Sequence, residues 1–172
     1  GGVDYIELTY EGYGPGGTAI LIEALTDNKN RTAADIRSIF TKQGGNLGET
    51  GCVSYLFQRK GIISFDAAQY SEDEILEAAL EAGAEDVSSS DEEVEVITSP
   101  DDFFSFFDAL EEAGYKSERA EVTMVPEATV TLDDETTAKA LRLIERIDDN
   151  EDVKSVSTNL DIPDDFDPDS IE

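Results

Sequence analysis

Nine of the thirteen glycines fall between Tyr10 and Gly61, in YEGYGPGGTAILIEALTDNKNRTAADIRSIFTKQGGNLGETGCVSYLFQRKG. Glycine adopts turn conformations that other residues resist and weakens the interiors of helices and strands. This stretch must therefore fold as short elements joined by tight turns. Its first cluster, Gly12-Tyr-Gly-Pro-Gly-Gly17, matches the spacing G-x-G-x-x-G of a dinucleotide-binding loop. That mechanism needs a helix N-terminus aimed at a pyrophosphate directly afterwards. Thr18 to Leu25 (TAILIEAL) instead reads as a strand, and Pro15 removes one of the N–H groups such a loop would offer. The cluster therefore predicts a wide hairpin loop with Tyr10 and Tyr13 near its base.

Tyr5 to Tyr10 alternates with period two, as a strand with one wet face does. Asp27-Asn-Lys-Asn30 is a turn before a helix. Thr32 with Asp35 resembles a capping box, and Ala33, Ile36, Ile39 and Phe40 recur at helical spacing. Lys42 falls in the last turn, and Gly44-Gly45 ends the helix. After a loop over 46–51, Cys52 to Phe57 and Ile62 to Phe65 read as a hairpin whose tip carries Arg59 and Lys60.

Helices are expected over 71–83 and 100–114, with strands over 92–98 and 119–125. The four phenylalanines 103, 104, 106 and 107 read as core, with Phe103, Phe107 and Leu110 on one stripe. A last helix over 133–148 would turn Ala138, Leu141, Ile144 and Ile147 inward, before a strand at 153–156. These elements predict an α/β (α+β) fold of two small ferredoxin-like domains, the second inserted into the first, with two domains in series as the simpler alternative. The expected boundaries are 1–66 with 129–160 for the first domain and 67–128 for the acidic insertion. Residues 161–172 (DIPDDFDPDSIE) form an acidic, proline-broken tail.

Charge narrows the function. The chain carries 41 acidic and 12 basic side chains, a formal charge of -29. From Lys29 to Lys60, however, six basic residues face only Asp35 and Glu49, a local net charge of +4. With no histidine and one cysteine, neither a structural zinc site nor a histidine-based catalytic triad can be assembled. Asp164, Asp165, Asp167 and Asp169 lack the glycine and terminal glutamate of a calcium loop. No apolar run approaches the ~20 residues that span a bilayer. The expectations are a non-enzyme with no cofactor, no metal, no membrane and no small-molecule substrate. A chain opening on Gly1-Gly2 also reads as a fragment or processed product. The lone Cys52 fits a reducing compartment, and the expectation is a monomer in the cytoplasm.

The reversed charge marks the candidate site. Lys29, Arg31, Arg37, Lys42, Arg59 and Lys60 are candidate phosphate contacts. Asn28 and Asn30 stand at a helix entrance whose N–H groups favour anions, and Tyr13 could stack on a base. The opposing reading is that these cations merely balance neighbouring carboxylates.

Taken together, YEGYGPGGTAILIEALTDNKNRTAADIR, FTKQGGNLG and LFQRKGIISF strongly resemble the YebC/PmpR family, which includes the mitochondrial translational activator of cytochrome c oxidase subunit I. LEAALEAGAEDV, ALEEAGY, AEVTMVP and LRLIERIDD extend the resemblance over essentially the whole chain. Family members open on a basic helical domain with a motif like AGHSKWANIKHRK, which nothing here matches. The resemblance implies a regulator of gene expression, with nucleic acid or the ribosome as partner. The favoured role is a translation factor that relieves stalling through rRNA, tRNA or mRNA, in the mitochondrial matrix if the source is eukaryotic. Its alternatives are a DNA-binding transcriptional regulator and an acidic protein-interaction module.

Overall fold

A computed structural model describes residues 4–163 and Phe166. The tail expected over 161–172 therefore lies largely outside the described residues. The chain opens with the hairpin of β1 (Ile6–Tyr13) and β2 (Ala19–Thr26), paired from Ile6 opposite Thr26 to Tyr13 opposite Ala19. Its glycine loop closes with Gly14 N donating to the Thr18 carbonyl at 2.7 Å, around a one-turn 3-10 helix at Pro15–Gly17. Gly16 and Gly17 hold φ of 75° and 80°, which favours glycine at both positions.

Next come α1 (Lys29–Lys42), the two-residue β3 (Asn46–Leu47) and β4 (Phe57–Asp66). They are followed by α2 (Glu72–Ala82), β5 (Asp86–Ser89), β6 (Glu93–Thr98), α3 (Phe103–Glu112) and β7 (Arg119–Pro126). The chain continues through β8 (Val130–Thr131), α4 (Asp134–Asp148), β9 (Val153–Thr158) and β10 (Leu160–Asp161). The chain divides into two compact units: one comprises residues up to Phe57 and from Pro126 onward, the other Gln58–Val125. Nearly all of β4 thus belongs to the second unit, whereas the sequence expectation set the boundary after residue 66.

In the first unit the sheet order is β3-β1-β2-β9, antiparallel throughout. Ile20 and Ile22 of β2 pack with Ile36 and Phe40 of α1 and Leu143 and Ile147 of α4, so both helices lie on one face of the sheet. Each such fully buried side chain contributes about 1.5–3 kcal/mol relative to exposure. The helices run in opposite directions: Asp152, just past the end of α4, accepts from the Thr32 hydroxyl in the first turn of α1 at 2.8 Å. The pleat directs Glu7, Thr9, Glu11 and Tyr13 to the other face.

The second unit runs β4-α2-β5-β6-α3-β7 in the order β5-β6-β4-β7, a complete βαββαβ arrangement. Ile63, Phe65, Ile75, Ala79, Val94, Val96, Phe103, Phe106 and Leu110 form its core. Helix α2 starts at a full capping box between Ser71 and Glu74 and ends at Gly83 in the left-handed conformation.

Four local expectations are corrected. The cap of α1 is Asn28, whose Oδ1 accepts from Arg31 N at 3.0 Å, while the Thr32 hydroxyl is engaged with Asp152. The hairpin expected over 52–65 is replaced by a one-turn 3-10 helix at Ser54–Leu56 and the single long strand β4. The buried stripe of α4 is Thr137, Ala140, Leu143 and Ile147, with Ala138, Leu141 and Ile144 on its shoulders. In α3 Phe106 rather than Phe107 is fully buried, and Phe104 is 76% exposed.

Candidate functional site

Helix α1 forms because Ile36 and Phe40 recur four apart above the sheet, and its outer surface is left to polar residues. Lys29, Asn30, Arg31, Arg37 and Lys42 are all exposed on it. At about 100° per residue, Asn30, Ala34, Arg37 and Thr41 share one flank and Arg31, Asp35, Ser38 and Lys42 the other. Lys29, Arg37 and Lys42 make no ion pair among the described residues.

Arg31 is different. Its Nη2 donates to Asp27 at 3.1 Å and to both carboxylate oxygens of Asp152 at 3.2 and 3.1 Å. Those hydrogen bonds, to Asp152 above all, raise the guanidinium pKa. The Thr32 hydroxyl, and then Arg31, hold the Asp152 carboxyl below its ordinary value despite the opposing effect of burial. Arg31 thus ties the start of α1 to the connection before β9. Asn28 is likewise engaged, as the helix cap.

Arg59 and Lys60 lie mid-strand on β4, in the second unit, not at a hairpin tip. Lys60 is half-buried and its Nζ donates to Glu85 at 2.6 Å. The structure therefore gathers Lys29, Arg31, Arg37 and Lys42 on one helix and leaves Arg59 and Lys60 on a separate unit.

Tyr13 is 39% exposed, and its hydroxyl donates to the Cys52 carbonyl at 3.1 Å. Beside it is a feature that sequence reasoning passed over. The Glu11 side chain, 3% exposed, accepts backbone N–H bonds from Gly51 at 2.6 Å, Val53 at 3.0 Å and Ser54 at 2.6 Å. Burial alone would raise this carboxyl; the hydrogen bonds from Gly51, Val53 and Ser54 outweigh it and lower the pKa. The capture of these donors accounts for the absent strand at 52–57: their N–H groups face a side chain instead of a ladder. Glu11 is the only acid of the segment directed beneath the loop, but period two alone could not distinguish it from the exposed Glu7 on the same face. The loop also presents Tyr55, 71% exposed.

Other chemistry finds little support. Among the described residues no group of three or more His, Cys, Asp or Glu side chains could hold a metal ion. Burial and then the nearby Glu11 push the Cys52 thiol up, away from the reactive thiolate form. A cavity of about 110 Å³ in the second unit is lined by Ile63, Phe65, Phe107, Leu110 and Tyr115 with Glu111, Lys116 and Ser117. No helix among the described residues is long and apolar enough to cross a membrane.

The family model for the TACO1/YebC second and third domain matches residues 5–160. A probable transcriptional regulatory protein of Treponema denticola is 57% identical over 166 residues, which are 96% of this chain and 67% of the relative. One from Dictyoglomus turgidum is 55% identical over the same shares of each chain. A crystal structure of a conserved hypothetical protein from Aquifex aeolicus matches with a TM-score of 0.86 at 44% identity, over 96% of this chain and 68% of that one. This chain thus spans about two thirds of the length of these relatives.

Proposed function

Since the chain belongs to the TACO1/YebC family, over its second and third domains, we propose that it serves a non-enzymatic regulator of gene expression by binding nucleic acid through phosphate contacts, most concretely RNA on the ribosome. The observation that carries this reading is α1: four cations against one acid, with Lys29, Arg37 and Lys42 unpaired among the described residues, in a chain of charge -29. Cations without carboxylate partners are available to displace counterions from a polyanion. The other sheet face favours the helical side, because the 51–54 loop covers it at Glu11 and its exposed positions on β1 are Glu7, Thr9 and a single aromatic, Tyr13, rather than the row of aromatic and basic residues of a sheet-based RNA platform.

The second reading is DNA-bound transcriptional regulation, favoured by the name given to the relatives from Treponema and Dictyoglomus. Backbone contact alone suits shape-based RNA binding better than the reading of base edges. The test compares cosedimentation of the chain with ribosomes against its retention of duplex DNA, each measured across a salt series. Ribosome association that weakens with salt and with Arg37→Gln/Lys42→Gln supports the translational role. Salt-sensitive binding to duplex DNA alone supports the transcriptional one, and association with neither overturns the proposal.

A further inference from the structure

Helix α4 carries a second row of cations that the candidate site above does not include. Lys139, Arg142 and Arg146 are exposed and follow one another at i, i+3 and i+7, which places them on a single stripe of the helix. The stripe lies away from the buried residues Ala140, Leu143 and Ile147. Only Lys139 has a carboxylate nearby, Glu135 one turn back at 3.6 Å, and Arg142 and Arg146 make no ion pair among the described residues. Glu145 and Asp148 are the other acids in this half of the helix, and neither reaches an arginine.

Helices α1 and α4 cover the same face of the first unit's sheet, in opposite directions. Of the eight Lys and Arg residues in that unit, seven lie on these two helices: Lys29, Arg31, Arg37, Lys42, Lys139, Arg142 and Arg146. The exception is Lys154 on β9. The other sheet face carries Glu7, Glu11 and Glu23. The two helices also carry Asp35, Asp134, Glu135, Glu145 and Asp148, so the layer holds seven basic against five acidic side chains in a unit whose total is acidic.

We propose that the α1/α4 layer is one docking surface for a nucleic-acid backbone, with Arg142 and Arg146 supplying phosphate contacts alongside Arg37 and Lys42. The inference rests on the nucleic-acid reading above and adds its location: the helical layer of the first unit. The α4 stripe and the cations on the two flanks of α1, on antiparallel helices with no aromatic side chain among their exposed residues, suit phosphates rather than base edges or unstacked bases.

Fluorescence anisotropy of the whole chain tests this with labelled duplex RNA, duplex DNA and single-stranded RNA of equal length, over a salt series. Arg142→Gln/Arg146→Gln is expected to weaken binding roughly tenfold or more near 0.1 M salt and to lower the salt slope by about two. Arg142→Lys/Arg146→Lys should restore most of the affinity, because charge rather than shape is the requirement. Lys154→Gln should leave binding near the wild-type value. Losses shared by the RNA and DNA duplexes support backbone contact, and a loss on one arm alone names the strand chemistry that the layer takes. Unchanged affinity and slope in the Gln/Gln variant, with wild-type binding intact, overturns this location while leaving the nucleic-acid reading standing. Absence of wild-type binding to every probe overturns both.

Discussion

Glu11 and Ser54, 43 residues apart, are joined by a 2.6 Å bond from the Ser54 amide to the Glu11 carboxylate. The same carboxylate gathers the amides of Gly51 and Val53, and the Gly48 amide donates to the Glu11 main-chain carbonyl at 2.8 Å. One residue of β1 therefore fixes the whole connection between β3 and β4. Loops of this length are ordinarily mobile; this one is held by a charge-assisted cluster, the stronger class of hydrogen bond.

Glu11→Gln keeps the size of the side chain but replaces one acceptor oxygen with an NH₂ that faces backbone donors. It should destabilise the first unit by about 1–3 kcal/mol, the range for leaving buried donors unsatisfied. Urea denaturation measures the loss, and hydrogen exchange at the amides of Gly51, Val53 and Ser54 should accelerate selectively. Unchanged protection at those three amides would refute the clamp.

The same carboxylate sets an acid limit together with Asp152. In both, the folded pKa lies below its ordinary value, 4.5 for Glu11 and 3.8 for Asp152. Their contributions are present above those values and are lost as pH falls through the lower folded ones. Melting temperature should drop as pH is lowered below about 4.5, and the drop should be shallower in Glu11→Gln.

Glu95 has the opposite sign. Burial first, then the neighbouring Glu93, raise its pKa above 4.5, and Arg119 only partly opposes them. Its contribution is present below 4.5 and lost as pH rises through the folded value. Glu95→Gln should therefore raise the melting temperature near neutral pH, by an amount corresponding to no more than about 1 kcal/mol, and bring no gain in acid. A stability loss at neutral pH would show that the Arg119 contact, at 3.7 Å, outweighs the burial.

Arg31 and Arg37 should separate structure from binding. Arg31→Gln breaks ties to Asp27 and Asp152, so its main effect is expected on thermal stability. Arg37→Gln breaks no ion pair among the described residues and should leave the melting temperature unchanged while reducing the salt slope of nucleic-acid binding by about one. The reverse pattern would place the interface around Arg31.

Gly12 is a close-approach glycine. A Cβ there would stand 2.6 Å from the Asn46 carbonyl oxygen and 2.8 Å from Phe40 Cε1. Gly12→Ala should destabilise by about 1–3 kcal/mol through overpacking between β1, β3 and α1. Urea midpoints against Thr9→Ala, an exposed position on the same strand, provide the comparison.

Much of the fold was legible because its punctuation is local. Ser71 and Gly83 bracket α2, Gly44-Gly45 ends α1, and the Gly12–Gly17 cluster predicts the β1–β2 loop. The family resemblance was likewise carried by contiguous motifs, which now match a family model over residues 5–160. What eluded sequence reasoning was set by partners distant in the chain. The Cys52–Phe57 run has strand-like composition, yet its Val53 and Ser54 amides are drawn to a carboxylate 42 and 43 residues earlier. Leu141, Leu143 and Ile144 crowd one turn, and it is Leu143 that the fold buries fully, in the core with Ile20, Ile22, Ile36 and Phe40. Arg31 and Lys60 read as free cations because Asp152 and Glu85 lie 121 and 25 residues away. The α4 stripe was available in the i, i+3, i+7 spacing, but the surrounding acidity masked it.

The interrupted first unit also bears on the order in which the chain can mature during synthesis. Residues 58–125 form a contiguous βαββαβ module whose elements have all emerged before α4 and β9 are made. Until those last pieces arrive, Ile20, Ile22, Ile36 and Phe40 lack their covering from Leu143 and Ile147. The later segment is therefore the closing half of a clasp, and truncation anywhere before Ile147 should leave an intact inner module attached to a sticky, protease-sensitive outer one.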